Sequence, residues 1–168
     1  MTMEYEFTLK YQLVDGEDVD ALVEQLGEAG CDDAVVGTGL PGRMALFFTR
    51  QAGCAQDALH SALADVRRVA PQARLIEAAP DLVGLTDVAQ LVGVSRQNMR
   101  KLMLTHPYSF PAPVHEGTAS IWHLADILCW MQARGTCTVA QDIVDLALAA
   151  MRVNVVAAHD RVCGEGEC

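Results

Sequence analysis

This 168-residue sequence has few aromatic side chains and no long run of apolar residues. Aromatic residues make up 5% of the chain and hydrophobic residues 51%, so we expect a packed core built mostly from leucine, valine and alanine. No apolar run reaches the roughly 18 residues that would cross a bilayer. The first residues, Met1-Thr-Met-Glu4, also lack the basic and then apolar layout of a signal peptide. A cytoplasmic location is therefore expected.

Patterns that indicate a metal site or an active site are absent as well. The six cysteines include no Cys-x-x-Cys pair and are predicted to be reduced thiols, with a soft-metal site at Cys163 and Cys168 as the alternative. A metal site at His115 and His123 is the alternative to surface or hydrogen-bonded imidazoles. No catalytic triad order, paired-carboxylate cleft or phosphate loop is found. We therefore expect no cofactor, no metal and no enzymatic activity.

Acidic residues are abundant, and the formal net charge is −10, which argues against a nucleic-acid partner for the chain as a whole. The charge is unevenly distributed, however. Residues 1–83 carry six basic and 14 acidic side chains, whereas residues 84–135 carry four basic and three acidic ones. Between Arg96 and Lys101 there are three positive charges and no negative charge. Only this middle segment is electrostatically suited to a polyanion.

The first half of the chain alternates between strand and helix patterns. Strands are predicted at residues 5–13, 34–37, 43–49 and 73–77. One helix is predicted after an N-cap at Asp18, closed by Gly27 and Gly30, and a second at residues 55–69. The order strand-helix-strand-strand-helix-strand predicts a ferredoxin-like βαββαβ domain over residues 1–80.

A different pattern begins at Leu85 and predicts two short helices joined by a tight turn. Thr86 is predicted to cap the first helix, which ends at Val92 before a left-handed Gly93. Ser95 is predicted to cap the second helix, with Met99 and Leu102 facing inward. The outward residues are of types that contact phosphates and base edges: Ser95, Arg96, Gln97, Asn98, Arg100 and Lys101. An ordinary helical hairpin with a solvated basic face is the alternative.

Proline residues at positions 107, 111 and 113 exclude a continuous helix after this pair. Glu116-Gly117 suits the tip of a small hairpin, and residues 119–122 are predicted to be its return strand. A further helix then follows, with an apolar stripe of Leu124, Ile127, Leu128 and Met131.

Residues 85–134 resemble the AlpA/excisionase branch of the MerR-like winged helix-turn-helix proteins. The matching motifs are Thr-Asp-Val-Ala-x-Leu-Val-Gly-Val-Ser at 86–95, Phe-Pro-x-Pro-Val at 110–114 and Trp-x-x-x-Asp-Ile-x-x-Trp at 122–130. The resemblance implies a recognition helix at 95–106 in the major groove and a wing at 114–121 near the backbone. This wing has His115, Thr118 and Ser120 beside Glu116, where the family often has Arg or Lys. Candidate DNA-binding residues are therefore Thr86, Ser95, Arg96, Gln97, Asn98, Arg100, Lys101, His115 and Thr118.

The last part of the sequence predicts a long apolar helix. Thr138-Val-Ala-Gln141 fits a capping box, and the helix is assigned to residues 136–160 with a flexible tail at 161–168. Its aliphatic surface needs a partner, and two interpretations stay open. The helix either forms a homodimer, which would suit a palindromic operator, or packs against the N-terminal domain of its own chain.

The expected architecture is thus α+β, with a ferredoxin-like domain at 1–80, a winged helix-turn-helix domain at 81–135 and a C-terminal helix. The expected function is sequence-specific binding of double-stranded DNA as a transcriptional regulator. Residues 1–80 would take a small effector or a partner protein. The alternative is a protein-interaction adaptor or antitoxin-like component acting through the acidic N-terminal domain. Whether transcription is activated or repressed does not follow from the resemblance.

Overall fold

The computed structural model describes residues 1–135 and 138–164, and within them the chain forms six helices and seven strands. The strands form two antiparallel sheets, so the predicted mixed α+β class is confirmed. The chain divides into two compact units. Among the described residues, the first unit comprises Met1–Ala79 and Arg152–Gly164, and the second comprises Pro80–Met151. No helix in the described residues is both long and apolar enough to span a membrane.

The first unit contains a four-stranded sheet with the strand order β2-β3-β1-β4. Each helix connects two strands that have a third strand between them in the sheet, and neighbouring strands are antiparallel. The elements in chain order are β1 (Met3–Gln12), α1 (Val19–Glu28), β2 (Ala34–Gly37), β3 (Arg43–Ala52), α2 (Ala55–Val69) and β4 (Arg74–Ala79).

Buried and exposed side chains alternate along β1 and β3, the two long central strands, and the buried ones form the core of this unit. In β1, Phe7 and Leu9 are buried and lie opposite Phe48 and Leu46 of β3. The rings of Phe7 and Phe48 stack with their centroids 5.1 Å apart. Helix α2 packs against both strands and buries Leu59 completely. The sheet therefore has one face covered by helices, which is the usual arrangement for an antiparallel sheet with alternating side chains.

Asp18 caps α1 as predicted, but Gly27 lies inside this helix, which has Ala29 as its C-cap and Gly30 after it. The Asp18 carboxylate accepts a hydrogen bond from the Ala21 N–H at 3.2 Å and starts α1. Helix α2 has the predicted bounds, and its N-cap is Cys54, whose Sγ accepts from the Asp57 N–H at 3.4 Å. Strand β3 is longer than predicted because it continues to Ala52, which pairs with Met3.

The second unit combines four helical segments with a small three-stranded sheet of order β5-β7-β6. Its core includes Val88, Met99 and Leu128, each fully buried, together with Trp122. The elements in chain order are β5 (Leu82–Val83), α3 (Leu85–Val92), α4 (Arg96–Thr105), β6 (His115–Glu116), β7 (Ser120–His123), α5 (Leu124–Arg134) and the first part of α6 (Gln141–Gly164).

Helix α6 differs from the prediction at both ends. It begins at Gln141, so the predicted capping box at Thr138 is wrong. The Gln141 side chain accepts from the Gln132 amide at 3.0 Å and donates to Asp145 at 2.9 Å instead of closing a capping box. The helix continues to Gly164, so residues 161–164 are helical rather than part of a tail. Residues 136–137 and 165–168 lie outside the described residues.

The two halves of α6 belong to different units. Val144 and Ala147 are buried in the core of the second unit. Asn154, in the first unit, hydrogen-bonds both backbone groups of Ala78 in β4. Its Oδ1 accepts the Ala78 N–H at 2.7 Å, and its Nδ2 donates to the Ala78 carbonyl at 2.8 Å. Of the two roles considered for this helix, the structure therefore documents packing of its second half within the first unit.

Candidate nucleic-acid interface

The connection between α3 and α4 is a tight turn with defined geometry. Gly93 has φ 76° and ψ 29°, the left-handed conformation that glycine adopts without steric cost. The Val94 N–H then donates to the Ala89 carbonyl at 3.0 Å. The Ser95 hydroxyl accepts from the Asn98 N–H at 3.1 Å, which caps α4. The predicted roles of Gly93 and Ser95 are confirmed, and the turn fixes where α4 begins.

The inward faces of α3 and α4 are closely packed. Val88, Ala89 and Met99 are between 0% and 3% exposed. Val94 and Leu102 are partly buried against the same core. Ala89 is small enough to lie between the two helices, so the predicted inward residues are placed correctly. This packing leaves the opposite side of α4 in solvent.

That opposite side is the α4 face, defined as Ser95, Arg96, Gln97, Asn98, Arg100 and Lys101. All six side chains are exposed. Helical periodicity places Arg96 next to Arg100, four residues away, on one side. No residue that the structure describes forms an ion pair with Arg96, Arg100 or Lys101. Because α4 itself contains no acidic residue, its three cations are not neutralised.

Thr86 does not cap α3, so that prediction is wrong. The helix begins at Leu85, two residues before the start that a cap at Thr86 would give, and Gly84 is extended before it. The Asp87 carboxylate accepts from the Gly84 N–H at 3.0 Å and closes the first turn. Thr86 is therefore an exposed residue within the first turn of α3 and is not part of the α4 face.

The β6–β7 hairpin carries the other two candidates, His115 and Thr118, and both are exposed. The hairpin is extended by a hydrogen bond from the Val114 N–H to the Ile121 carbonyl at 2.7 Å. The His115 ring lies over the tip, where a Cβ at Gly117 would be 2.7 Å from its Nε2. The return strand begins at Ser120, one residue later than predicted.

Aromatic side chains connect the hairpin to the rest of the second unit. The Trp122 indole N–H donates to the Pro111 carbonyl at 2.9 Å. The Phe110 ring meets Trp122 and Trp130 edge-on, with centroids 6.2 and 5.0 Å apart. His106, directly after α4, meets Trp130 at 5.6 Å. The end of α4, the proline-rich loop and the hairpin therefore all contact the same cluster of aromatic side chains.

Sequence reasoning missed the pair formed by Asp81 and His123. Asp81 is 1% exposed, and its Oδ1 lies 2.6 Å from Nδ1 of His123. Its carbonyl accepts from the Leu124 N–H at 2.7 Å. His123 is thus engaged by a carboxylate next to the predicted domain boundary. Among residues 1–135 and 138–164, no group of three or more potential metal ligands occurs.

A second missed feature is the buried Arg50 in the first unit, which is 7% exposed. Its guanidinium bonds both carboxylate oxygens of Asp33 at 2.7 and 3.0 Å, and it lies 2.9 Å from Asp65. It also donates to the Gly30 carbonyl at 2.8 Å. Burial alone would lower the pKa of Arg50, but the two carboxylates outweigh it and the pKa is raised. Each charged group of this cluster is paired with an opposite charge, and we assign the cluster a structural role.

The cysteines that the structure describes are free thiols, at positions 31, 54, 129 and 163. Cys31 is buried, and this burial raises the pKa of its thiol to about 11, so it is neutral and unreactive at ordinary pH. Cys163 lies 3.5 Å from Nε2 of His159. Its predicted alternative partner, Cys168, lies outside the described residues, as does Cys137.

Comparisons with known protein families, characterised proteins and solved structures find no match to this chain. The resemblance of residues 85–134 to the AlpA/excisionase proteins therefore stays a prediction. The geometry of the α4 face has to be judged by itself.

Proposed function

We propose that this chain is a sequence-specific double-stranded DNA-binding transcriptional regulator. In this proposal α3 and α4 form a helix-turn-helix, α4 is the recognition helix and the β6–β7 hairpin is the wing. The observation that carries the proposal is the α4 face, which combines three exposed, unneutralised cations with exposed amides directly after a rigid turn. The AlpA/excisionase resemblance of residues 85–134 adds to it.

The side chains of the α4 face match the chemistry of duplex DNA. An α-helix with its side chains is about 10–12 Å across, and the major groove is about 12 Å wide. Arg100 and Lys101 can bind phosphates, whereas Gln97 and Asn98 can each pair with the N6 and N7 edge of adenine. We assign the cations mainly to affinity and the amides mainly to sequence preference.

The wing contributes less in this proposal. His115 and Thr118 are exposed, but neither has the permanent positive charge of arginine or lysine. Glu116 between them would repel phosphate. The His115 ring is also placed over Gly117. Thr86, in the first turn of α3, would contact the phosphate backbone in this proposal. We expect substitutions at Thr86, His115 or Thr118 to weaken binding less than those at Arg100.

The proposal gives the first unit the ferredoxin-like fold. The strand order β2-β3-β1-β4, with a helix crossing between β1 and β2 and between β3 and β4, supports this. Such domains are compatible with an effector or partner-protein role, and fold alone does not select one. A homodimer is part of the proposal because two recognition helices would read an inverted repeat.

The test is a fluorescence-polarisation titration of the full chain against random duplex DNA at about 50 and about 200 mM salt. The affinity of the unmodified chain is expected to fall steeply with salt. A variant carrying Arg100→Ala and Lys101→Ala should bind more weakly, and its salt slope should be smaller by about two because two phosphate contacts are lost. A Lys10→Ala and Arg43→Ala variant loses the same charge in the first unit and should bind like the unmodified chain.

Sequence preference is tested by selecting bound duplexes from a random pool. Asn98→Ala should relax the preference at one base position, at a cost of about 1–3 kcal/mol. Recovery of an inverted repeat would support the homodimer. Equal binding by the two charge variants, or no binding at either salt, would contradict the proposal. The strongly acidic first unit would then become the candidate surface for a basic protein partner.

A further inference from the structure

The first unit contains a groove of about 910 Å³ between α2, β4 and the second half of α6. This volume lies within the range of about 300–1,000 Å³ that is typical of small-molecule sites. All residues that line the groove belong to the first unit. None of them belongs to the α4 face, so the groove is a separate feature of the molecule.

Positive charge is concentrated in this groove within an otherwise acidic unit. The described part of the unit has eight basic and 14 acidic side chains, of which four basic ones and a single acidic one line the groove. The acidic one is Asp160, and its carboxylate lies 3.6 Å from Nδ1 of His159. The four basic residues are all exposed, namely Arg67, Arg74, Arg152 and Arg161.

The floor of the groove is apolar. Val66 is 1% exposed, and Leu63, Leu75 and Val153 are half-buried around it. The Tyr11 ring is also buried at the floor, and its hydroxyl makes no hydrogen bond with any residue that the structure describes. Burial raises the pKa of Tyr11, so this hydroxyl stays protonated and can donate. An apolar floor under a cationic rim suits a ligand with the same two parts.

We propose that this groove binds a small organic anion, with its apolar body on the floor and a carboxylate, sulfonate or phosphate group on the arginines. A planar guanidinium binds such oxygens through two parallel hydrogen bonds, which favours arginine over a single point charge. Arg67 on α2 and Arg161 on α6 approach the ligand from two different elements of the groove. The proposal is independent of DNA binding by the α4 face.

The experiment uses anilinonaphthalene sulfonate, a fluorescent aromatic anion, titrated with the full chain in the absence of DNA. The test variant carries Arg67→Gln and Arg161→Gln, and its matched control carries Lys10→Gln and Arg43→Gln. Phenylnaphthylamine, which has a similar apolar body but no negative charge, is titrated in parallel. Circular dichroism and the thermal midpoint show whether each variant is folded. A second variant, Ala64→Glu, adds a negative charge at the exposed lining position on α2, with Ala133→Glu as its control.

We expect the Arg67 and Arg161 variant to bind the sulfonate about tenfold or more weakly, since each charge-assisted hydrogen bond contributes about that factor. Phenylnaphthylamine should bind equally to the variant at Arg67 and Arg161 and to its control at Lys10 and Arg43. Ala64→Glu should weaken sulfonate binding, whereas Ala133→Glu should not. Displacement of the probe by decanoate would support a small-anion site. Failure of the unmodified chain to bind the sulfonate, or an equal loss in both charge variants, would overturn the proposal. Displacement by a polyglutamate peptide but not by decanoate would overturn it in favour of a peptide surface.

Discussion

Arg50 shows what a single side chain contributes to the first unit. It occupies an inward-facing position of β3 where the alternating pattern would place an apolar residue. Its charge is matched by Asp33 and Asp65, and its guanidinium lies 4.9 Å from the Phe48 ring centroid. Removing Arg50 would leave Asp33 without a counter-charge, whereas Asp65 also pairs with the exposed Arg68.

Replacing Arg50 by methionine should therefore be strongly destabilising. Because Asp33 would lose its cation and Asp65 would keep only the exposed Arg68, we expect Arg50→Met to lower the free energy of unfolding by about 3–5 kcal/mol. Urea unfolding followed by far-ultraviolet circular dichroism measures the change. The control is Lys10→Met, which breaks the exposed 2.8 Å pair with Glu77 and should cost less than about 1 kcal/mol. Similar losses in the two variants would contradict the structural role given to Arg50.

The role of a single residue was predictable from the sequence where its side chain bonds the backbone a few positions away. Asp18 and Ser95 each cap a helix by bonding an N–H three residues away. Asp81 and His123 are separated by 42 residues and Arg50 and Asp33 by 17, so no local pattern reveals either pair. Thr86 was wrongly assigned because Asp87 closes the first turn of α3 instead.

At the scale of elements, the turn between α3 and α4 depends on the conformation of Gly93. Its φ of 76° is a conformation that other residues rarely adopt, yet a Cβ there would meet nothing within 4 Å. The cost of a side chain at this position is therefore purely conformational. Changing it tests the backbone geometry of the turn without disturbing the packing.

We expect Gly93→Ala to lower the stability of the second unit by about 1–2 kcal/mol. Trp122 and Trp130, the only two tryptophans, both lie in this unit, so the unfolding transition seen by tryptophan fluorescence reports on it. Gly84→Ala is the control, since Gly84 lies in the same unit, has a φ of −93° and would place a Cβ no closer than 3.8 Å to a neighbouring atom. Its effect should be small. A Gly93→Ala chain as stable as the Gly84→Ala chain would contradict the assigned turn geometry.

Elements were predicted best where hydrophobic periodicity and capping agree. Helix α2 has the bounds that its apolar stripe indicated. Strand β3 was predicted too short because Arg50 interrupts the apolar alternation, although its ion pairs let the strand continue to Ala52. Helix α6 begins three residues after the predicted cap, and Gln141 bonds Gln132 and Asp145 instead of closing a capping box. These side-chain bonds cannot be read from spacing alone.

At the scale of the whole molecule, the first unit is discontinuous in sequence. Its sheet and two helices come from Met1–Ala79, whereas Asn154 and two of the groove arginines come from the second half of α6. The groove was not predictable from the sequence, because its lining residues come from two segments that the whole second unit separates along the chain. Only the folded chain brings Arg67 and Arg74 together with Arg152 and Arg161.

Ending the chain at Met151 should therefore destabilise the first unit selectively. The loss of Asn154 removes both hydrogen bonds to the backbone of Ala78, a residue that is 0% exposed. The unfolding transition seen by circular dichroism should split or broaden. The free energy of unfolding seen by tryptophan fluorescence should change by less than about 1 kcal/mol, the contribution of a single hydrogen bond. A chain ending at Gly164 is the control and should behave like the full chain. Unchanged transitions after ending at Met151 would show that the second half of α6 does not stabilise the first unit.

The discontinuity of the first unit also affects how the protein is made. During translation, residues 1–79 leave the ribosome first, but Asn154 is synthesised only after the whole of the second unit. At about 5–20 residues per second, roughly 4–15 seconds pass between the synthesis of Ala78 and that of Asn154. Throughout that interval the nascent sheet carries β4 with its Ala78 backbone groups unpaired by Asn154. The second unit, by contrast, is contiguous, so its fold needs no segment synthesised after Met151.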